Sequence, residues 1–309
     1  MLLAPIVIFT YRRVPNQLIN SILNNNLSEQ SELFIYSDGA KSDTDYEDVE
    51  EVRKYLKTVV GFKSIKIIES DENKGLANSI INGVSEVIDI YGMAIVLEDD
   101  LIVSSDFLEY MNDALNFYDK DKRIWSISGY GPKLPCFKNY KDDVYLSVRG
   151  SSWGWATWKD RWGSVDWEVK DFDKLEEDES LKNKFNLGGN DMFKMLELQL
   201  LGKIDSWAIR WCFTQFTLAT YTVYPKKSKV INDGFRDLKG THNSRINNKW
   251  AVELDNEKIN LKNIHPNETV VKCFKRFYNI SIGAKVSYFL RKYGFKKPFK
   301  NRVKKTDAM

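Results

Sequence analysis

Apolar residues in the first third of the chain recur in two alternating rhythms. Short strand-like runs, Ile6–Thr10, Leu33–Gly39, Ser64–Ile68 and Met93–Leu97, are separated by longer stretches with helical spacing. These stretches are 14–25, 45–60 and 76–90, and in the second Val49, Val52, Leu56 and Val59 fall on one face. The alternation predicts an α/β fold with a mostly parallel central sheet covered by helices. In open sheets of this kind ligands collect beyond the C-terminal strand ends.

Four such ends carry polar clusters: Thr10-Tyr11-Arg12, Ser37-Asp38-Gly39, Asp71-Glu72-Asn73-Lys74-Gly75 and Glu98-Asp99-Asp100. One cluster alone would be accidental, whereas four on one rim describe a site. The last is the most informative. Adjacent carboxylates repel one another and resist desolvation, so a fold gains no stability by placing three at a strand tip. They suit a divalent cation, since Mg²⁺ and Mn²⁺ prefer oxygen ligands and are often held by one or two carboxylates plus substrate phosphates. The alternative is a solvated strand-to-loop junction. Neither a Gly-Lys-Ser/Thr phosphate loop nor Gly-x-Gly-x-x-Gly follows the first strand, so ordinary ATPase and dinucleotide readings lose support.

The second half adds candidates. Trp153, Trp155, Trp158 and Trp162 crowd one short segment. Singly each reads as a core aromatic. Together, with Gly154 admitting close backbone approach, they suit a cleft wall of flat rings. Asp205 directly precedes an apolar helix expected over 207–221, where it can cap the helix or hold a rigid carboxylate toward a cleft. Asp191 stands in the same relation to a helix over 192–201. His242 is one of only two histidines, and His265 lies in a polar stretch without an assigned role.

Composition narrows the class. With 43% hydrophobic and 13% aromatic residues, the chain can bury a large core. Cys136, Cys212 and Cys273 are scattered with no metal- or redox-type spacing, which predicts reduced thiols in a reducing compartment. The N-terminal apolar run is too short for a signal peptide, and no stretch approaches the roughly 18 apolar residues of a membrane span. The net charge of +3 hides an asymmetry, because residues 270–309 hold nine Lys and three Arg against the single acid Asp307. Aromatic and aliphatic residues interleave with these charges at helical spacing. Such a segment suits an anionic membrane surface, and equally a helix docked on the domain with a solvated basic face. No motif for nucleic acid is present.

Taken together, Thr10-Tyr11-Arg12, Asp38, the helix start Asn73-Lys74-Gly75 with Asn78, and Glu98-Asp99-Asp100 resemble the GT-A glycosyltransferases, bacterial family 2 in particular. The Glu-Asp-Asp form is closer to that of the Golgi N-acetylglucosaminyltransferase initiating hybrid N-glycans than to the commoner Asp-x-Asp. The segment Ser151–Trp158, the Asp205-Ser206-Trp207 pattern and the pair Val230-Ile231-Asn232-Asp233-Gly234 and Gly240-Thr241-His242 extend the resemblance toward the C-terminus.

The resemblance implies an inverting transfer from a nucleotide sugar, UDP-linked, to a hydroxyl of a glycan, lipid-linked glycan or glycoprotein. It implies Mn²⁺ or Mg²⁺ on Asp100, with Glu98 and Asp99 at the ribose or donor sugar. Thr10, Tyr11, Arg12 and Asp38 would hold the nucleoside, and Asn73, Lys74, Gly75, Asn78, Trp153, Gly154 and Trp155 would complete the donor site. Asp205 is the implied base, with Asp191 the runner-up; His242 would meet the diphosphate or the closing loop rather than the metal. The expected divisions are a catalytic domain 1–245 (nucleotide-sugar half 1–103, acceptor half 104–245), a linker 246–269 and a basic aromatic helical extension 270–309. The expected setting is bacterial and cytoplasmic, peripheral on the inner membrane face, with a homodimer as a candidate assembly. Two rivals stay open: a nucleotidyltransferase making nucleotide sugars, and a noncatalytic sugar-binding member of the fold.

Overall fold

The computed structural model describes residues 3–234 and 249–292. The first half runs β1 (Ile6–Thr10), α1 (Asn16–Leu23), β2 (Glu32–Ser37), α2 (Asp43–Leu56), β3 (Ser64–Glu69), α3 (Leu76–Tyr91), β4 (Met93–Glu98), β5 (Leu101–Val103), α4 (Phe107–Tyr118) and β6 (Ile124–Ser128). It continues with β7 (Val144–Ser147), β8 (Trp155–Trp158), α5 (Lys159–Trp162), α6 (Phe172–Glu177), α7 (Glu179–Phe185), α8 (Met192–Leu200) and α9 (Trp207–Thr217). Then come β9 (Tyr221–Pro225), β10 (Val230–Asn232), α10 (Glu268–Tyr278) and α11 (Ile282–Lys292).

The main sheet has the order β3-β2-β1-β4-β8-β6-β9-β7, and β10 pairs with β5 in a separate two-stranded ribbon. β1 is parallel to β2 and β4, and β2 to β3, as the alternation predicts. β8 then inserts antiparallel between β4 and β6. Both faces of the sheet are covered, which strand alternation makes visible. Ile6 and Ile8 of β1 join one core with Leu18, Ile22 and Leu56, while Val7 and Phe9 join the other with Ile80, Val84 and Val87. The helix expected to continue to Tyr221 stops at Thr217, and Ala219 adopts φ 51 in the turn that launches β9.

The stretch expected to be a linker packs along the body over its described residues. Ile264 enters the main core, Tyr118 donates to the Lys262 carbonyl at 2.6 Å, and Asp255 N donates to the Ser228 carbonyl at 2.9 Å. The fully buried Lys229 amine ties this strap down, donating to Asp106 at 2.6 Å and to the carbonyls of Asp255 and Glu257. α10 docks as well: Val270 and Phe274 fill a third core with Leu134, Tyr145 and Tyr224.

That docking brings two of the scattered cysteines together. Cys136 and Cys273, far apart in sequence, hydrogen-bond where α10 meets the 135–139 turn, and burial followed by that bond pushes the Cys136 thiol up to about 12. A thiol held this far from its thiolate is a poor nucleophile. Cys212 is buried separately, and burial pushes it up to about 11.

Candidate functional site

β1 lies between β2 and β4, so the strand order reverses at β1 and the crevice beyond β1 and β4 is the switch point of the sheet. Register places Phe9 beside Glu98, which brings the Thr10–Arg13 loop against the acidic tip. Tyr11 N donates to Asp99 at 3.2 Å. Burial, then the charges of Asp100 and Asp99, hold Glu98 well above the ordinary carboxyl range, and burial and Asp100 push Asp99 up to about 7. A cation placed there would offset the repulsion among these carboxylates.

The acidic tip meets the chain's later segment directly. β10 runs antiparallel to β5 with Asn232 opposite Leu101, so Val230–Gly234 lies against the residues after Asp100. Asn232 Nδ2 donates to Asp100 at 2.9 Å and Asp233 N to the Asp100 carbonyl at 2.8 Å. Gly234 leaves space for the Asp100 carboxylate, since a Cβ there would lie 2.6 Å from its Oδ2. A cavity of about 80 Å³ opens beside them, lined among others by Arg13, Asn16, Gln17, Asp99, Asp100 and Asp233. Since about 10–15 Å³ of such volume holds one water, it admits a cation with part of its hydration shell. Among the described residues no three carboxylate, imidazole or thiolate side chains converge as a complete metal cage. Asp99 and Asp100 fit a cation that takes its remaining ligands from phosphates and water.

Other expected site residues are redirected. Arg12 turns to an ion pair with Asp45 at the start of α2, which also accepts from the Tyr11 hydroxyl at 2.9 Å. The hydrogen bonds from Tyr11 and then Arg12 hold Asp45 below the usual carboxylate range. Arg13, which the motif reading did not select, is the arginine that faces the acidic tip, where its charge favours the Asp99 carboxylate. Thr10 is buried and bonds the Arg13 carbonyl at 3.0 Å, shaping this turn.

Asp38 is also engaged. Its carboxylate accepts from Gly39 N, Lys74 N, Gly75 N and Asn73 Nδ2 at 3.0, 2.8, 3.0 and 3.1 Å. It therefore fixes the loop before α3, and Asn73 bonds back to the Gly39 carbonyl at 2.9 Å. Gly75 turns that loop at φ 76, a conformation that favours glycine. Lys74 and Asn78 project at the exposed start of α3, with Asn78 Nδ2 donating to the Lys74 carbonyl at 3.0 Å.

Asp205 arrives at this same place. The N-cap of α9 is Ser206, whose Oγ accepts from Ile209 N at 3.4 Å, so Asp205 is released from capping its own helix. It is exposed, and its Oδ2 lies 3.4 Å from Ala77 N at the start of α3. A helix N-terminus carries partial positive charge, which favours a carboxylate there. Asp191 has a different position. It makes no capping bond and pairs with Arg149 through two hydrogen bonds of 2.8 and 3.0 Å, under the Tyr278 ring 4.3 Å from the guanidinium carbon. Burial opposes the Arg149 charge, but Asp191 outweighs it and raises Arg149 above its ordinary value. Breaking such a pair leaves an uncompensated buried charge, so Asp191→Asn should destabilise the fold by about 3–5 kcal/mol in urea unfolding.

The tryptophan segment divides. Gly154 and Trp153 lie beside the acidic strand end, with a Gly154 Cβ falling 3.3 Å from the Leu97 side chain, and Trp153 is half-buried against Tyr130 and Trp250. Trp155, expected on the cleft wall, is a core residue. It is 1% exposed and stacks on Trp162 and Trp207, while Trp158 and Trp162 are also buried. The cause is β8 itself, an inserted strand whose two faces are both covered. A larger cavity of about 830 Å³ lies at the opposite end of the sheet, beside Gly92, Trp158 and Trp167, remote from every acidic-tip residue. His242 falls outside the described residues.

The raised carboxyls imply a pH response. Between its ordinary value of 3.8 and about 7, folded Asp99 keeps a proton that the unfolded chain has released. Stability of the metal-free protein should therefore fall as pH rises through that window. Thermal unfolding at pH 5–8 should show this slope, an Asp99→Asn variant should flatten it, and Mn²⁺ should raise the midpoint more at pH 8 than at pH 6.

An open α/β sheet with an acidic cluster at its switch point places a ligand crevice beyond the C-terminal strand ends. Residues 6–133 match the model of glycosyl transferase family 2. Among solved structures the chain is similar to residues 1–349 of TarS from S. aureus, at 11% identity and a TM-score of 0.41. The match covers 75% of this chain and 61% of that one. No curated protein matches the sequence.

Proposed function

We propose that this protein is a metal-dependent inverting glycosyltransferase that moves a sugar from a UDP-linked donor to a hydroxyl of a surface glycan, lipid-linked glycan or glycoprotein. One observation carries the reading: three segments distant in sequence, Thr10–Arg13, Glu98–Asp100 and Asn232–Gly234, meet at the switch point. Asp205 reaches the same rim at the start of α3.

In this reading Asp100, with Asp99 beside it, holds Mn²⁺ or Mg²⁺ together with the donor diphosphate. Bound there, the cation offsets charge on the leaving group, stabilising the transition state more than the ground state. The likeness of Glu98-Asp99-Asp100 to the Golgi enzyme's motif belongs to this assignment. Thr10 and Tyr11 shape the nucleoside side of the crevice, Asp38 serves it through the loop it fixes, and Glu98 borders the ribose or donor sugar. Arg13 adds positive charge near the diphosphate. Lys74, Asn78 and Trp153 flank the space left for the sugar. Asp205 takes the proton of the acceptor hydroxyl as that oxygen attacks the anomeric carbon opposite the leaving diphosphate, inverting the centre.

Incubation with UDP-GlcNAc, UDP-GalNAc, UDP-Gal and UDP-Glc plus Mn²⁺, with UDP release as the readout, tests the proposal. Release from one donor, stimulated by the correct acceptor, is expected. Pyrophosphate from UTP and a sugar phosphate would instead identify a nucleotidyltransferase, and inactivity in both assays a noncatalytic binding protein.

A further inference from the structure

The two C-terminal helices are alike in sequence character but differ in how their apolar residues are used. α10 spends its apolar side inside the molecule, with Val270 and Phe274 buried among Leu134, Tyr145 and Tyr224 and with Phe277 packed on Trp250. Its basic residues Lys272 and Arg276 stay at the surface. α11 is anchored differently. It lies against α8, and Lys292 pairs with Glu197 at 2.6 Å. That leaves Val286 and Phe289, one helical turn apart, 53% and 59% exposed. No other pair of large apolar residues on one helix is so exposed among the described residues beyond α3.

The sequence that contains this apolar pair has a lopsided charge. Residues 270–309 carry twelve basic side chains and one acid, Asp307, whereas the rest of the chain has more acids than bases. A protein partner would be expected to match such a segment with its own acidic patch. A phospholipid surface rich in anionic headgroups offers both complements together: diffuse negative charge for Lys and Arg, and an acyl boundary for Val286 and Phe289. Neither signal suffices by itself. Two small apolar insertions are too weak for stable binding, and charge without insertion is screened within a Debye length of about 8 Å at physiological salt.

We propose that α11 is a peripheral membrane-docking helix that seats Val286 and Phe289 in the interface of an anionic bilayer, with the basic residues of 270–309 supplying the attraction. α10 is the rigid bracket that holds it to the catalytic body. This goes beyond the transfer reading and does not depend on it, because it concerns a surface distinct from the switch-point crevice.

The test is co-sedimentation of the full chain with vesicles of phosphatidylcholine alone or with about one third phosphatidylglycerol, at low salt and at 0.5 M NaCl. Binding is expected only to the anionic vesicles and should be lost at high salt. Val286→Ser with Phe289→Ser should weaken binding at least tenfold with unchanged net charge, and Lys272→Gln with Arg276→Gln should weaken binding at low salt and make its loss with salt shallower. Circular dichroism and the thermal midpoint check that each variant is folded. Equal binding to neutral and anionic vesicles, or no binding to either, would overturn the proposal. So would light scattering that shows a dimer dispersed by the Val286/Phe289 double variant, since the exposed pair would then be covered by a second copy.

Discussion

Asp205→Asn should lower the transfer rate by about 10²–10⁴-fold, the range a general base contributes, while UDP affinity stays nearly unchanged. Asn keeps the size of the side chain and an oxygen able to accept from Ala77 N, where the carboxylate lies at 3.4 Å. What it removes is the group that takes the acceptor's proton. Because Ser206 caps α9, the substitution should leave that helix intact. Steady-state kinetics with the active donor, beside calorimetry of UDP with Mn²⁺, separates the two effects. Full activity in the variant would end the assignment. Asp191 is the control: its loss should appear as instability through Arg149, and a folded, inactive Asp191→Asn enzyme would move the base there instead.

Asp100→Ala is expected to abolish the Mn²⁺-dependent part of UDP binding, a weakening beyond about 100-fold, which exceeds what changes to outer-shell partners produce. The substitution deletes the carboxylate that receives Asn232 but leaves the bond from Asp233 N to the Asp100 carbonyl, so the β5–β10 ribbon should persist. Asn232→Ala provides the comparison. It removes a partner of Asp100 without removing an acid, and should weaken UDP binding by a smaller factor. Calorimetry with and without Mn²⁺ gives both numbers. If Asp100→Ala binds UDP as the parent does, the cation is held elsewhere.

Much of the first half was legible before any coordinates. Alternation of short apolar runs and helical stretches is local, so β1 to β4 and α1 to α3 fall close to where the pattern places them. The polar strand ends follow from the same logic, since parallel strands put their C-terminal tips on one side. The second half was less legible for a physical reason. Whether an aromatic lines a cleft or fills a core depends on which strand it joins, and nothing near Trp155 announces that β8 will insert between β4 and β6. The motif Thr10-Tyr11-Arg12 likewise does not show that Arg12 pairs with Asp45 while Arg13 faces the acidic tip, because that depends on where α2 begins in space.

The amino-acid pattern alone determined a layered α/β sheet, a rim of polar strand ends and an acidic strand tip, all of which depend on residues a few positions apart. Tertiary structure decided what meets at that rim. It laid Asn232 on Asp100 across 132 positions, carried Asp205 to the start of α3, brought the Cys136 and Cys273 thiols together and buried Val270 and Phe274 of α10 while leaving Val286 and Phe289 of α11 exposed. Those juxtapositions arise from burying two faces of one sheet and docking a strap across it. They are properties of the packed chain, absent from any short window of its sequence.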